Sequence, residues 1–224
     1  MDIRWLGHAA FELKHDGVTV LIDPFITGNP AATVEADALE ADAILLTHGH
    51  EDHFGDAVSI AKRTGATVQA ITEIAWEIGE EGVEVIDTNI GGTASYAWGS
   101  VRLTPAFHTS TTPKGTVTPP AGLVIEMGRT VIYDLGDTAL FSDLALPGRR
   151  KKVDIALVPI GGHYTMDRED AVIAAGLVGA EVVIPKHYNT FPPIATDAQA
   201  FKSEVEAAGY ARVEVLEVNG TYSA

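Results

Sequence analysis

The chain has 224 residues, of which 31 are acidic, 15 are basic and none is cysteine, so its formal net charge is −16. This length predicts one domain, spanning residues 1–224, with a sizeable core. The lack of cysteine excludes disulfides, thiolate metal sites and thiol nucleophiles, and the negative charge argues against binding to nucleic acid phosphates.

The N-terminal segment and the apolar runs give no sign of export or of membrane insertion. Charges at Asp2, Arg4 and Glu12 interrupt the first residues, unlike the apolar run of a signal peptide. No apolar stretch approaches the roughly 18 residues needed to cross a bilayer. These features predict a cytoplasmic protein without a membrane partner. The one basic run, residues 149–152, is interpreted as a solvated loop.

Strand signals begin with a hairpin in the first residues. Apolar and polar residues alternate on both sides of Asp16-Gly17, and similar pairs of runs flank Trp98-Gly99 and Met127-Gly128. Each of these dipeptides is predicted to form the turn of an antiparallel hairpin. Short, wholly apolar runs at residues 43–46, 155–159 and 182–185 are typical of strands that are buried on both faces.

Helical signals alternate with the strands. Apolar residues at helical spacing predict helices over residues 71–78, 171–178 and 198–208, and Thr196 with Gln199 is predicted to form a capping box for the last of them. The proline-containing loop of residues 109–120 is expected to be a mobile flap. Hairpins and helices in this mixture predict helices layered outside sheets.

The segment with the most chemical information is residues 47–53, which follows the buried strand predicted at residues 43–46. It places His48, His50, Asp52 and His53 within six residues. The intervening Gly49 has no Cβ and gives the turn the freedom to fold back. Imidazole and carboxylate groups suit zinc, manganese, iron or nickel, so this pattern predicts a metal site without choosing the metal.

This HxHxDH pattern resembles the signature of the metallo-β-lactamase superfamily, and later residues match that family in the same order. The resemblance implies an α+β fold, a four-layer αββα sandwich in which two mixed β-sheets are flanked by helices. It also implies one metallo-hydrolase domain that binds two divalent ions, with zinc expected first. The implied ligands are His48, His50 and His108 for the first ion, Asp52, His53 and His187 for the second, and Asp137 for both.

Three further segments are similar to one branch of the superfamily, the uncharacterised metal-dependent hydrolases related to L-ascorbate-6-phosphate lactonases. They are residues 5–11, 21–25 and 159–166. One departure is Asp134-Leu135, where that branch would carry a histidine and a small residue. This departure is expected to change the polarity around the metal ligands.

The resemblance implies hydrolysis of a small molecule by water that the ions activate, and both an anionic and an uncharged substrate fit. Asp52 is expected to orient this water and to carry its proton, and His8 or His163 to protonate the leaving group, although each histidine fits a structural role equally well. Asp23 is expected to brace the metal loop. Lys114, Arg168 and Lys186 are the residues considered for holding a phosphate or carboxylate; they are equally typical of a solvated surface.

The sequence does not determine which bond is hydrolysed or whether the chain forms an oligomer. Ester, lactone and phosphodiester substrates fit equally, and a thioester remains possible. The hypothesis from a different class is a non-catalytic regulator that binds a metal or ligand in the same pocket. Exposed hairpin edges permit a homo-oligomer without demonstrating one.

Overall fold

The computed structural model describes residues 1–224 as two seven-stranded sheets with helices on their outer faces. The strands are β1 (Asp2–Gly7), β2 (Ala10–His15), β3 (Val18–Ile22), β4 (Ala43–Leu45), β5 (Thr67–Ile71), β6 (Val85–Thr88), β7 (Thr93–Tyr96), β8 (Gly99–Pro105), β9 (Ala121–Met127), β10 (Thr130–Asp134), β11 (Ile155–Pro159), β12 (Val182–Lys186), β13 (Arg212–Val213) and β14 (Thr221–Ser223). The helices are α1 (Glu51–Phe54), α2 (Ala57–Thr64), α3 (Thr72–Gly79), α4 (Leu146–Arg150), α5 (Arg168–Val178) and α6 (Ala198–Ala207).

Both sheets are mixed, and their pairing follows the same plan. The first has the order β14-β1-β2-β3-β4-β5-β6, and the second has the order β13-β12-β11-β10-β9-β8-β7. In the first sheet, pairing is antiparallel from β14 to β3 and parallel from β3 to β6. In the second, it is antiparallel from β7 to β10 and parallel from β10 to β13.

Alternation of apolar side chains along the first sheet explains the layering. In β3, Val20 and Ile22 belong to the core that fills the space between the sheets, and Leu21 faces the opposite side. That opposite side packs against α2 and α3, whereas α5 packs on β11 and α6 on β13. These contacts confirm the predicted four-layer αββα sandwich. No helix combines the length and the apolar character that a bilayer crossing requires.

All three predicted hairpins are present, but two turns are displaced by one residue. The first has the predicted register, with His15 opposite Val18 across Asp16-Gly17. In the second, Tyr96 pairs with Gly99, so the turn is formed by residues 97–98. Gly99 is therefore the first residue of β8, and this position requires glycine because a Cβ there would lie 1.8 Å from the Glu126 carbonyl oxygen. The third turn likewise moves to residues 128–129, since Met127 pairs with Thr130.

Two smaller predictions are corrected by the structure. Asp197, not Thr196, caps α6, because its carboxylate accepts hydrogen bonds from the backbone N–H groups of Gln199 and Ala200. The Thr196 N–H instead donates to Asn189 Oδ1. The basic run of residues 149–152 is not simply a loop, since its first half ends α4.

Candidate metal centre

The predicted metal ligands meet at one edge of the sandwich, because each follows the carboxyl end of a strand. The turn after β4 carries His48 and His50, and α1 places Asp52 and His53 directly behind them. His108, Asp137 and His187 follow β8, β10 and β12 in the second sheet. The two sheets therefore contribute ligands from opposite sides of one cleft.

The side chains divide into two groups, and one group contains a residue beyond the predicted set. Within each group, nitrogen or oxygen atoms lie within 4.8 Å of one another. The first group is His48, His50 and His108; the second group is His8, Asp52, His53 and His187. Asp137 forms a further group with His48 and His53. All seven predicted ligands are thus brought together, with His8 added.

Asp137 lies between the two groups. Its Oδ2 atom is 3.0 Å from His187 Nε2, 3.3 Å from His53 Nε2 and 3.7 Å from His108 Nε2. Burial would raise the pKa of Asp137, but the histidines His187 and His53 outweigh it and hold the pKa well below its ordinary value. Asp137 is therefore an ionised carboxylate in a position to bridge two cations.

The buried donor atoms at this cleft fit a metal ion. Asp137 Oδ1, His53 Nε2 and His187 Nε2 are buried and form no well-aligned hydrogen bond, although the two nitrogens lie 3.3 and 3.0 Å from Asp137 Oδ2; this is costly for polar atoms unless another group binds them. Nitrogen and carboxylate oxygen are ligands for zinc and for other first-row divalent ions. The residues present therefore suit divalent metal.

Asp23 braces the metal loop, as the sequence predicted. Its Oδ2 atom lies 2.8 Å from His53 Nδ1 and accepts the Thr47 hydroxyl at 2.6 Å, and its Oδ1 atom accepts the Thr47 N–H at 2.8 Å. His53 Nδ1 is thereby held against Asp23, and Nε2, which faces Asp137, is the nitrogen that can bind either a proton or a metal ion. Burial lowers the pKa of His53, but Asp137 and Asp23 outweigh it and raise the pKa well above its ordinary value. This excess of negative charge favours a cation.

Gly49 is required for packing rather than for backbone freedom. A Cβ at this position would lie 2.9 Å from Thr112 Cγ2 and 3.1 Å from the Thr112 nitrogen.

The loop of residues 109–120, expected to be a mobile flap, is anchored instead: the hydroxyls of Thr112 and Thr116 each donate to Glu77 Oε2 at 2.7 Å. Glu77 is a buried residue of α3, so the loop is fastened to the first sheet's outer helix layer.

His8 holds Asp52 from behind. Its Nε2 atom lies 3.0 Å from Asp52 Oδ2, and its Nδ1 atom lies 2.9 Å from Thr190 Oγ1. Burial lowers the pKa of His8 to about 4, so its ring is neutral at pH 7 and carries one proton. With that proton on Nε2, the Thr190 hydroxyl donates to His8, and His8 donates to Asp52. No pattern in the sequence pointed to Thr190.

Strained backbone also marks the site. His8, Asp23 and His187 have φ values of 56°, 43° and 55°, in the left-handed region that residues with a Cβ rarely adopt. The His187 N–H donates to the His8 carbonyl at 2.9 Å, which joins two of these segments directly. Such conformations persist where the surrounding structure enforces them, and they cluster at functional sites.

Replacing His8 by alanine is expected to weaken binding of a divalent ion by the second group about 10–100-fold, the effect typical of residues that orient a ligand. Thr190→Val should act in the same direction with a smaller effect, because it removes only the donor to His8. Competition with a chromophoric chelator measures both affinities. His163→Ala is the matched control. If His8→Ala and His163→Ala bound metal alike, the orienting role would be excluded.

The structure does not bring His163 to the site. Its side chain is exposed and packs edge-on against Tyr164, and it does not line the cleft, whereas Tyr164 does. The expectation that His163 protonates a leaving group therefore lacks the required proximity. This histidine lies in a left-handed turn after β11 that directs the neighbouring tyrosine to the cleft instead.

None of the three basic residues considered for holding a phosphate or carboxylate reaches the cleft. Lys114 pairs with Glu81 at 2.9 Å, and Arg168 pairs with Glu204 at 3.0 Å. Lys186 is fully buried, and its Nζ atom lies 2.5 Å from Asp134 Oδ1. The departure at Asp134 is therefore explained: it is half of a buried ion pair.

The cleft opens into a cavity of about 990 Å³. Its floor contains the ligand side chains His50, Asp52, His108, Asp137 and His187. Its remaining lining combines aromatic rings, small residues and two further acids: Phe25, Thr27, Gly28, Glu51, Gly55, Asp56, Thr109, Pro113, Tyr164, Phe191 and Pro193. A small molecule can therefore reach the ligand cluster.

Comparison with known proteins places this fold and cluster in a family. The β-lactamase superfamily domain model matches residues 2–187. A UPF0173 metal-dependent hydrolase of Geobacillus thermodenitrificans is 47% identical, covering 91% of this chain and 92% of its own length. One from Methanopyrus kandleri is 46% identical, covering 99% of both chains.

A solved structure supports the same relationship. Igni18, described as a metallo hydrolase from the archaeon Ignicoccus hospitalis, superposes with a TM-score of 0.90 at 40% identity. The match covers 100% of this chain and 98% of Igni18. The chain therefore belongs to the metallo-β-lactamase superfamily and, within it, to the UPF0173 family of metal-dependent hydrolases.

Proposed function

We propose that this chain binds two divalent metal ions, zinc first among them, and hydrolyses an ester, lactone or phosphodiester bond of a small molecule. The observation that carries the proposal is the set of buried, unpartnered donor atoms around Asp137 at the floor of an open cavity. Donors that are desolvated and left free are suited to binding an ion, and the cavity gives a substrate access to it.

Divalent ions bound here would act as Lewis acids and lower the pKa of water so that it attacks as hydroxide near neutral pH. His48, His50 and His108 would hold one ion, and Asp52, His53 and His187 the other, with Asp137 shared. Nitrogen and oxygen ligands permit manganese, nickel or iron as well as zinc.

Asp52 is the residue placed to orient the attacking water, because its side chain is 33% exposed and lines the cavity. Burial would raise the pKa of Asp52, but the side chains of His187 and His8 outweigh it and lower the pKa. Asp52 therefore accepts a hydrogen bond from water as a carboxylate and is a poor store for a proton at pH 7. His8 fixes its orientation from the buried side, so His8 acts on the reaction through Asp52.

The test is hydrolysis by protein that has been stripped of metal and separately reloaded with zinc, manganese or nickel. The panel contains lactones, carboxylic esters, thioesters and phosphodiesters. We expect no turnover by the stripped protein and restored turnover on reloading, accompanied by a higher melting temperature in the presence of metal. Turnover that is equal with and without metal would contradict the proposal.

A non-catalytic regulator is the second candidate, since the same cavity could serve only for binding. That candidate predicts stabilisation by about RT ln(1 + [L]/Kd) when metal or ligand binds, without turnover of any member of the panel. Melting curves and product assays on the same samples separate the two. The half-buried Asp52 carboxylate belongs to the ligand cluster and also lines the cavity, so both candidates would use it as a metal ligand and only catalysis would use it to orient water.

A further inference from the structure

The charges around the cavity indicate which substrates can enter it. Apart from the histidines, every ionisable side chain in the lining except Tyr164 is an acid, and no lysine or arginine is present. Asp52 and Asp137 belong to the ligand cluster, which leaves Glu51 and Asp56 as additional negative charges. An anionic group on a substrate, away from the reacting bond, would find no basic side chain to bind it.

The two additional acids differ in how their charge is used. Asp56 Oδ2 accepts the backbone N–H groups of Ile26 and Thr27, at 2.9 and 2.8 Å, so this carboxylate fixes the loop before the cavity. Glu51 is exposed at the start of α1, directly before Asp52, and no basic side chain lies within ion-pair distance of it. Its carboxylate is therefore free to repel a second negative charge on a bound molecule.

Aromatic rings form the apolar wall of the same cavity. Phe25 and Phe191 are half-buried and flank His8, with ring centroids 5.9 and 5.7 Å from the imidazole, both edge-on. Tyr164 also lines the cavity and is 56% exposed. Exposed aromatic surface of this kind binds uncharged alkyl or aryl groups.

We propose that the substrate is an uncharged ester or lactone whose apolar part packs on Phe25 and Phe191, and that Glu51 discriminates against anionic analogues. This inference rests on the proposed hydrolase function. In the reaction, water adds its oxygen to the acyl carbon and the acyl–oxygen bond breaks. An ester gives an alcohol and a carboxylate, and a lactone gives a single hydroxycarboxylate. The net proton is released to solvent. The charge of the product carboxylate also favours its departure past Glu51.

The experiment compares p-nitrophenyl hexanoate with mono-p-nitrophenyl adipate, which differ in the carboxylate that replaces the terminal methyl group. We expect kcat/KM of the metal-loaded protein to be at least about tenfold higher for the hexanoate, with each rate corrected for spontaneous hydrolysis. A change of about 1 kcal/mol in charge repulsion corresponds to a change of about fivefold in kcat/KM. Glu51→Gln is therefore expected to reduce the preference about fivefold, chiefly by improving turnover of the adipate.

Glu73→Gln is the control, because Glu73 is an exposed acid of α3 that does not line the cavity, and it should leave the preference unchanged. Equal turnover of the two esters, or faster turnover of the adipate, would overturn the substrate class while leaving the hydrolase function intact. An unchanged preference in Glu51→Gln would overturn the role of Glu51. If the protein hydrolysed neither ester and no compound of the panel, the proposed hydrolase function itself would be contradicted.

Discussion

Replacing Lys186 by methionine is expected to lower the free energy of unfolding by about 3–5 kcal/mol, because it leaves the buried Asp134 carboxylate without its partner. Both side chains are fully buried, and they connect the ends of β10 and β12 across β11. Burial lowers the pKa of Lys186, but Asp134, Asp23 and Asp137 outweigh it and raise the pKa, so the ammonium stays charged. Urea unfolding in excess chelator measures this change without a contribution from bound metal.

The double variant Lys186→Met/Asp134→Asn tests whether the loss comes from the unpaired charge. The amide introduced by Asp134→Asn would keep an oxygen to accept the Gly136 N–H, which Asp134 Oδ1 accepts at 2.8 Å. We expect the double variant to regain most of the lost stability, since replacing both members of a buried pair is often neutral. Lys202→Met, on the surface of α6, should change stability by less than about 0.5 kcal/mol. A double variant as unstable as Lys186→Met would contradict this explanation.

The ion pair also bears on the metal centre, because its two residues lie next to ligands. Lys186 directly precedes His187, and Asp134 begins the turn that leads to Asp137. Fixing the two strand ends against each other limits how far these ligands can move apart. The buried ammonium of Lys186 also offsets part of the negative charge of Asp23, Asp134 and Asp137. The pair thus links fold stability to the geometry of the candidate site.

What the sequence could predict depended on how close in the chain the interacting residues are. Four predicted ligands lie within residues 48–53, so their spacing alone indicated a metal site. His108, Asp137 and His187 are isolated, and only the family resemblance connected them to it. Side-chain alternation predicted the hairpins, and hairpins mixed with helices predicted helices layered outside sheets, whereas only the family resemblance implied the four-layer αββα sandwich.

Contacts between residues that are distant in the chain could not be predicted from the sequence. Asp134 was recognised only as a departure from a related branch, and Lys186 was considered for binding an anion, because nothing in the chain shows that the two meet. The role of His8 depends on Asp52 and Thr190, which approach it only after the two sheets pack together. His163 is a histidine like most residues of the cluster, so its residue type alone could not show that its turn directs the side chain to solvent.

Asp137→Ala is expected to lower kcat/KM at least about 10³-fold, because it removes the carboxylate placed between the two ligand groups. Three imidazole nitrogens, those of His53, His108 and His187, lie within 3.7 Å of its Oδ2 atom. Without this shared charge, we also expect the chain to retain one divalent ion fewer after gel filtration. Inductively coupled plasma mass spectrometry gives the metal content of each variant, and circular dichroism checks that the fold is kept.

Two further variants distinguish the effect of the Asp137 charge on metal content and turnover from the effect of its shape and from the effect of losing any acidic residue. Asp137→Asn keeps an oxygen ligand of similar size, so its metal content and turnover should fall between those of wild type and Asp137→Ala. Asp143→Ala removes an exposed acid that does not line the cavity, and it should match wild type in both measurements. If Asp137→Ala retained the metal content and kcat/KM of wild type, Asp137 would not bridge two ions. The proposed division of the ligands would then have to be abandoned, because no other carboxylate lies between the two groups.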